Sequence, residues 1–347
     1  MSFGVETEFL DPASGVPEEV LSLLYAEGLR FEGADVTVLL RMNRRPAATA
    51  SLDGQVIKMV AVDPEYRSMG LSAQAVSRLL EWARPRGMGH FFVYTKPSEA
   101  DKFESLGFCQ IGSSPGAVLL EMGRPNAEDF RRGLEELRLR VGVEESSAIV
   151  MNANPFTRGH RYLAERASSA SEHLFVVVVR SDRSSFPFED RIRMVRLGLE
   201  DLGNVTVVDG GDYAVSSATF PTYFLRDPSM EEVIRIQTRL DLDLFGRIFV
   251  PALRIRSRFV GTEPYCPVTG LYNQAMREVL PRFGVQVVEV PRLEEGGSAV
   301  SASLVRRAMA EGDPRGLEAL LPPTSYRYIM DNWDRLRERV LSSKGGH

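Results

Sequence analysis

Cysteine is nearly absent from this chain: two in 347 residues, Cys109 and Cys266. Two thiols cannot build a disulfide framework, so apolar cores must hold the fold, and a reducing compartment is the expected setting. Histidine is scarce as well, with four in the chain, and no cluster has zinc-ligand spacing. The first residues carry Glu6, Glu8 and Asp11 where a signal peptide needs basic and then apolar segments. No apolar run approaches the roughly 20 residues of a membrane span. A soluble, cytoplasmic protein with no membrane partner is expected. Basic charge is not in excess either: 42 Lys and Arg against 47 Asp and Glu leave a net charge of −5, so nothing draws the chain to nucleic acid in bulk. What is present is 44% hydrophobic residues over a length that suits two ordinary domains.

The first part reads as a helix followed by an antiparallel meander. Residues 17–29 form a helix opened by Pro17, and 35–41 and 46–52 are strands. Asp53-Gly54 turns into a strand over 56–62. Asp63–Ser72 then leads into a helix over 73–83. A strand at 91–95, a helix near 102–106 stopped by Gly107, and a last strand follow. The loop Arg67-x-x-Gly70-x-Ser72 heads a helix, where free backbone N–H groups can cradle a pyrophosphate. This order and loop resemble the GNAT acetyltransferase fold, whose loop carries Gly or Ala where Ser72 stands. The resemblance implies that Arg67, Gly70 and Ser72 receive an acyl-CoA or a CoA-like arm. No acid or base can be assigned here, so a catalytic domain and an idle one both stay open.

Residues 125–145 are charge-rich with a helical apolar stripe, a connector between a domain over 1–124 and another over 146–341. A tail over 342–347 is expected to be disordered. In the second domain, apolar strands at 148–151, 174–179, 205–208, about 257–260 and 285–290 alternate with helical stretches. Those stretches lie near 158–170, 188–202, 230–240, 269–281 and 301–311, with a final helix over 324–340. The pattern predicts an α/β fold with a Rossmann-like parallel sheet covered on both faces. Ligands bind such sheets at the carboxyl ends of the strands.

Asn152–His160 lies at such an end, as a turn between a strand and a helix. His160 falls in the first helical turn, where N–H groups and the macrodipole favour an anion such as phosphate. Thr157 offers a hydroxyl and His160 a ring N–H to charge developing at phosphorus. Far along the chain, Ser301 is a plausible N-cap, Ser303 sits in the first turn, and Arg306 projects from the same end. A sheet whose first strand is central can bring both motifs to one crevice.

Thr157-x-Gly159-His160 resembles the T/H-x-G-H signature of the nucleotidyltransferase superfamily, and Ser301-x-Ser303-x-x-Arg306 its second motif. The stretches Asn154–Leu163, Phe186–Arg191, Ser216–Leu225, Val260–Thr269 and Val300–Arg306 together resemble the citrate lyase ligase family, over nearly the whole chain. The resemblance implies an AMP-forming ligase. ATP, bringing Mg²⁺ with it, and acetate give acetyl-AMP and pyrophosphate. The acetyl group then passes to the thiol of the CoA-like prosthetic group on the acyl carrier subunit of citrate lyase. It makes His160 and Thr157 catalytic. It assigns Asn154, Phe156, Gly159, Arg191, Glu263, Ser301, Ser303 and Arg306 to ATP. Arg191 would touch phosphate or order the loop, and Glu263 would face adenine or ribose, although Thr262 stands where the family more usually has an acid. Ser217, Thr219 and Tyr223 would shape the acetate pocket. Three alternatives remain: an acetate ligase acting on tRNA cytidine, which shares Asn-Pro-Phe-x-x-Gly-His, an adenylyltransferase acting on a phosphorylated metabolite, and a non-catalytic nucleotide-binding regulator. The acidic balance and the GNAT-like first part argue against the first.

Overall fold

The computed structural model describes residues 4–180, 184–214, 220–225, 228–262, 267–295 and 298–343. Ser217, Thr219, Glu263 and most of the expected tail lie outside the described residues. The chain divides into two compact units. One comprises Met1–Phe130 with Pro221–Ile236, the other Arg131–Phe220 with Gln237–His347. The sequence predicts contiguous domains; the structure differs, because a segment of the second half packs with the first unit.

The first unit is built on seven strands: β1 (Val5–Leu10), β2 (Val36–Met42), β3 (Arg45–Asp53), β4 (Val56–Val62), β5 (His90–Thr95), β6 (Cys109–Ser114) and β7 (Ala117–Gly123). They lie in the order β1-β2-β3-β4-β5-β7-β6, antiparallel except for β4 and β5. Helices α1 (Glu18–Ala26), α2 (Leu71–Ala83) and α3 (Ala100–Glu104) accompany the sheet. Helix α2 buries Leu71, Ala75, Val76, Leu79 and Ala83, a stripe at helical spacing, against the apolar side chains of β2–β4. Strands β4 and β5 pair at Val56↔Phe92 and Ile57↔Val93 and then part. A register shift between β3 and β4 around Thr49/Ser51, together with Met59 at φ 56°, marks an inserted residue that bends β4 away.

Helix α4 (Ala127–Val141) runs across the boundary between the units. It leads to β8 (Ser146–Met151), α5 (Arg158–Ser169), β9 (Leu174–Val178), α6 (Phe188–Leu199) and β10 (Val205–Asp209). After α7 (Met230–Leu244) and α8 (Val250–Leu253) come β11 (Ile255–Gly261), α9 (Pro267–Val279), β12 (Gln286–Val290) and α10 (Ala302–Glu311). The five strands are all parallel, in the order β10-β9-β8-β11-β12, with the first strand central. Strand β9 is buried at every position, as helices on both faces require. The chain ends with α11 (Pro323–Asp331) and α12 (Trp333–Ser343) in place of the single expected helix. Asn332 breaks them: its backbone leaves the helical region at φ −122°, and its side chain donates to the Tyr328 carbonyl.

Candidate active site

Strand β8 delivers the chain to Asn152, and α5 begins six residues later. Thr157 is the N-cap, buried, with its hydroxyl accepting from the His160 N–H at 3.4 Å. The reciprocal contact comes from the imidazole: the Thr157 backbone N–H donates to His160 Nδ1 at 3.1 Å, and the Thr157 hydroxyl lies 2.8 Å from the same nitrogen. This is a capping box with histidine in the place usually taken by Glu or Gln. Because Nδ1 accepts, the proton of the neutral ring belongs on Nε2, which becomes a donor. Burial first, and then the positive charge of Arg292, push the imidazole down to about 4, so the ring is neutral at pH 7.

Gly159 explains how the second motif reaches the first. A Cβ at this position would lie 3.0 Å from the Val300 carbonyl, a space that a side chain would contest. Val300 immediately precedes Ser301, which caps α10 by accepting from the Leu304 N–H at 3.4 Å. Arg306 donates to the Asn154 carbonyl and, at 3.2 Å, to the Ser303 hydroxyl. It has no carboxylate partner among the described residues. Burial lowers its pKa from the ordinary guanidinium value, yet it remains charged at neutral pH. Two helix N-termini, one neutral imidazole donor and a half-buried guanidinium thus converge from distant parts of the sequence. Such a set favours a polyanion.

Four of the expected site residues are held in contacts within the protein. Of the two roles expected for Arg191, touching phosphate or ordering the loop, its 0% exposure fits the second. Its guanidinium donates to the backbone carbonyls of Phe186, Asn152 and Val179 at 2.7–3.0 Å, and to Asn152 Oδ1. It is a strut that ties the ends of β8 and β9 together and orders the loop. Phe156 is equally inaccessible. Its ring stacks on His160 with centroids 5.8 Å apart and fills the space that Gly198 leaves, so it supports the imidazole from the core. Asn154 accepts from the Phe186 N–H at 3.0 Å and holds the loop through that contact. Tyr223, expected in an acetate pocket, is buried in the first unit, where its hydroxyl donates to the Tyr94 carbonyl.

One residue escaped the sequence reading. Arg292 lies two positions beyond β12, donates to the Thr262 carbonyl at 2.9 Å, and supplies the charge felt by His160. A cation just past the carboxyl end of a parallel strand is the signal that could have found it.

In the first unit, the Arg67–Ser72 loop enters α2 through Gly70, which is left-handed at φ 71° and caps the helix. Arg67 is paired with Glu27 at 2.6 Å. Arg67, Gly70 and Ser72 line one cavity of about 550 Å³, together with β4 and β5 residues past the point where those strands part. That volume lies within the usual range for small-molecule sites.

The chain matches the family described as the citrate lyase ligase C-terminal domain over residues 146–329, and the acetyltransferase (GNAT) family over residues 26–108. It is similar to the citrate (pro-3S)-lyase ligase of Klebsiella pneumoniae, 37% identical over 301 residues, covering 85% of this chain and 87% of that protein. The Escherichia coli K12 protein of the same name is 34% identical over 92% of each chain. That of Haemophilus influenzae is 38% identical over 83% of this chain and 86% of its own length.

Proposed function

This chain belongs to the citrate lyase ligase family, and we propose that it activates acetate with ATP and passes the acetyl group to the prosthetic-group thiol of the citrate lyase acyl carrier subunit. The ligase chemistry is assigned to the second unit and the holding of the CoA-like arm to the first, which includes Pro221–Ile236. The observation that carries this reading is the convergence of His160 Nε2–H, the N-termini of α5 and α10, and an Arg306 with no carboxylate partner among the described residues.

In the first step an acetate oxygen attacks the α-phosphorus, the bond from that phosphorus to the pyrophosphate oxygen breaks, and acetyl-AMP forms. Charge builds on the α-phosphoryl oxygens and on the leaving group. His160 Nε2–H and the free N–H groups of α5 donate to the former. Ser303, Arg306 and the α10 N-terminus hold the β- and γ-phosphates as they leave. Mg²⁺ bound with the nucleotide would spread the triphosphate charge and would take mainly phosphate and water as ligands. In the second step the carrier thiolate attacks the acetyl carbonyl carbon, the bond from that carbon to the AMP oxygen breaks, and AMP leaves. No protein nucleophile is required.

The test uses thiol-form carrier subunit, ATP and radiolabelled acetate. Hydroxylamine-labile label on the carrier is expected. Label appearing on tRNA, or none on the carrier, contradicts the reading. Unchanged carrier acetylation in Arg67→Glu would sink the arm assignment.

A further inference from the structure

The parting of β4 and β5 should expose unpaired backbone groups where the ladder stops, after Ile57 and Val93. A buried N–H or C=O left without a partner destabilises the fold. The structure fills this gap with a side chain from far along the sequence. The Tyr223 hydroxyl donates to the Tyr94 carbonyl on β5, with the Met59 backbone of β4 beside it. One side chain therefore satisfies a β5 carbonyl beyond the last rung.

Tyr223 is held firmly in that place. The Arg30 N–H donates to the Tyr223 carbonyl at 3.1 Å. The neighbouring Thr222 donates to Glu32 Oε1 through both its backbone N–H at 2.9 Å and its hydroxyl at 2.7 Å. Phe224 packs edge-on against the Tyr223 ring, with centroids 5.2 Å apart, and both rings are buried. Burial, followed by the nearby Glu32 charge, raises the phenol pKa, so the hydroxyl stays protonated as a donor.

The position matters because the cavity starts one residue further on. Val60 and Thr95, next to Met59 and Tyr94, line it, and it then runs to the Arg67–Ser72 loop at the head of α2. Tyr223 and Phe224 are part of its wall. One end of the cavity is thus suited to phosphate, and the other is closed by a buried aromatic ring.

We propose that Tyr223 sets the depth of this cavity, so that a pantetheine-type arm enters with a free thiol or an acetyl thioester at its tip and longer acyl groups are rejected. The inference rests on the reading that the Arg67–Ser72 loop holds a CoA-like arm. A thiol or acetyl group ends against the ring. A longer acyl chain has to displace a buried side chain that is hydrogen-bonded to β5. The role is one of selectivity, with no bond made or broken by Tyr223.

Isothermal titration of the full-length protein with CoA, acetyl-CoA, butyryl-CoA and hexanoyl-CoA tests the proposal. Leaving out ATP and acetate separates the result from failure of the ligase chemistry. In the wild type, CoA and acetyl-CoA should bind within about threefold of each other, and hexanoyl-CoA at least about tenfold more weakly. Tyr223→Phe keeps the ring and should keep the discrimination. Tyr223→Ala should bring hexanoyl-CoA to within about threefold of acetyl-CoA. Tyr223→Leu serves the same purpose if the alanine variant does not melt cooperatively. A flat series in the wild type, an unchanged steep series in the folded small variant, or no binding of CoA at all would overturn the proposal.

Discussion

With Nδ1 committed to the Thr157 backbone N–H, the His160 ring can meet a phosphate only through Nε2–H. The fold maintains the neutral ring needed for this by pushing its pKa from 6.5 to about 4. The sign of the linked stability effect follows. As pH falls, the unfolded chain takes up this proton first, so the neutral ring contributes stability fully above about 6.5 and loses it towards about 4. Thermal melts from pH 7.5 to 4.5 should therefore show a steeper acid loss of Tm in the wild type than in His160→Ala. Parallel curves would mean that the imidazole titrates normally. Most of this site was legible residue by residue. Thr157, His160, Ser301, Ser303 and Arg306 stand at helix starts, and capping chemistry is local. Phe156 misled because an aromatic in a turn looks like a ligand contact until its burial is known, and burial decides between the two roles left open for Arg191. Arg292 was missed because its effect on His160 depends on a pairing of distant strands.

At the scale of elements, β8, α5 and α10 were readable from periodicity and caps, while the features that tie elements together were not. Strand β1 alternates half-buried and exposed residues at an edge of its sheet, a weak signal in Val-Glu-Thr-Glu-Phe-Leu. The break between α11 and α12 turns on one asparagine, and Asn alone is only a mild helix breaker. Arg191 is the clearest case. It joins β8 to β9 through backbone carbonyls that no other feature of the sequence ties to it. Arg191→Met should lower stability by about 3 kcal/mol or more, because it leaves several buried acceptors unpaired. Urea unfolding followed through the second unit measures this. Full stability with a raised KM for ATP would instead restore the phosphate contact that the structure removes.

At the scale of the whole molecule, the fold class was legible because strand and helix periods change at Ser146, and an all-parallel sheet follows from buried strands between helices. The division of the chain was less so. Pro221–Ile236 packs with the first unit although its sequence lies within the span matched by the ligase family, and nothing local marks the crossing. The placement puts Tyr223 in the wall of the cavity beside the Arg67–Ser72 loop. The central claim, that the anion-gathering cluster of the second unit activates an acid, is most directly tested by pyrophosphate release from ATP. Release is measured with and without acetate, in the wild type and in His160→Ala. The account predicts acetate-dependent release that falls by about 10²–10³ in the variant. Release indifferent to acetate, or undiminished in His160→Ala, would contradict it.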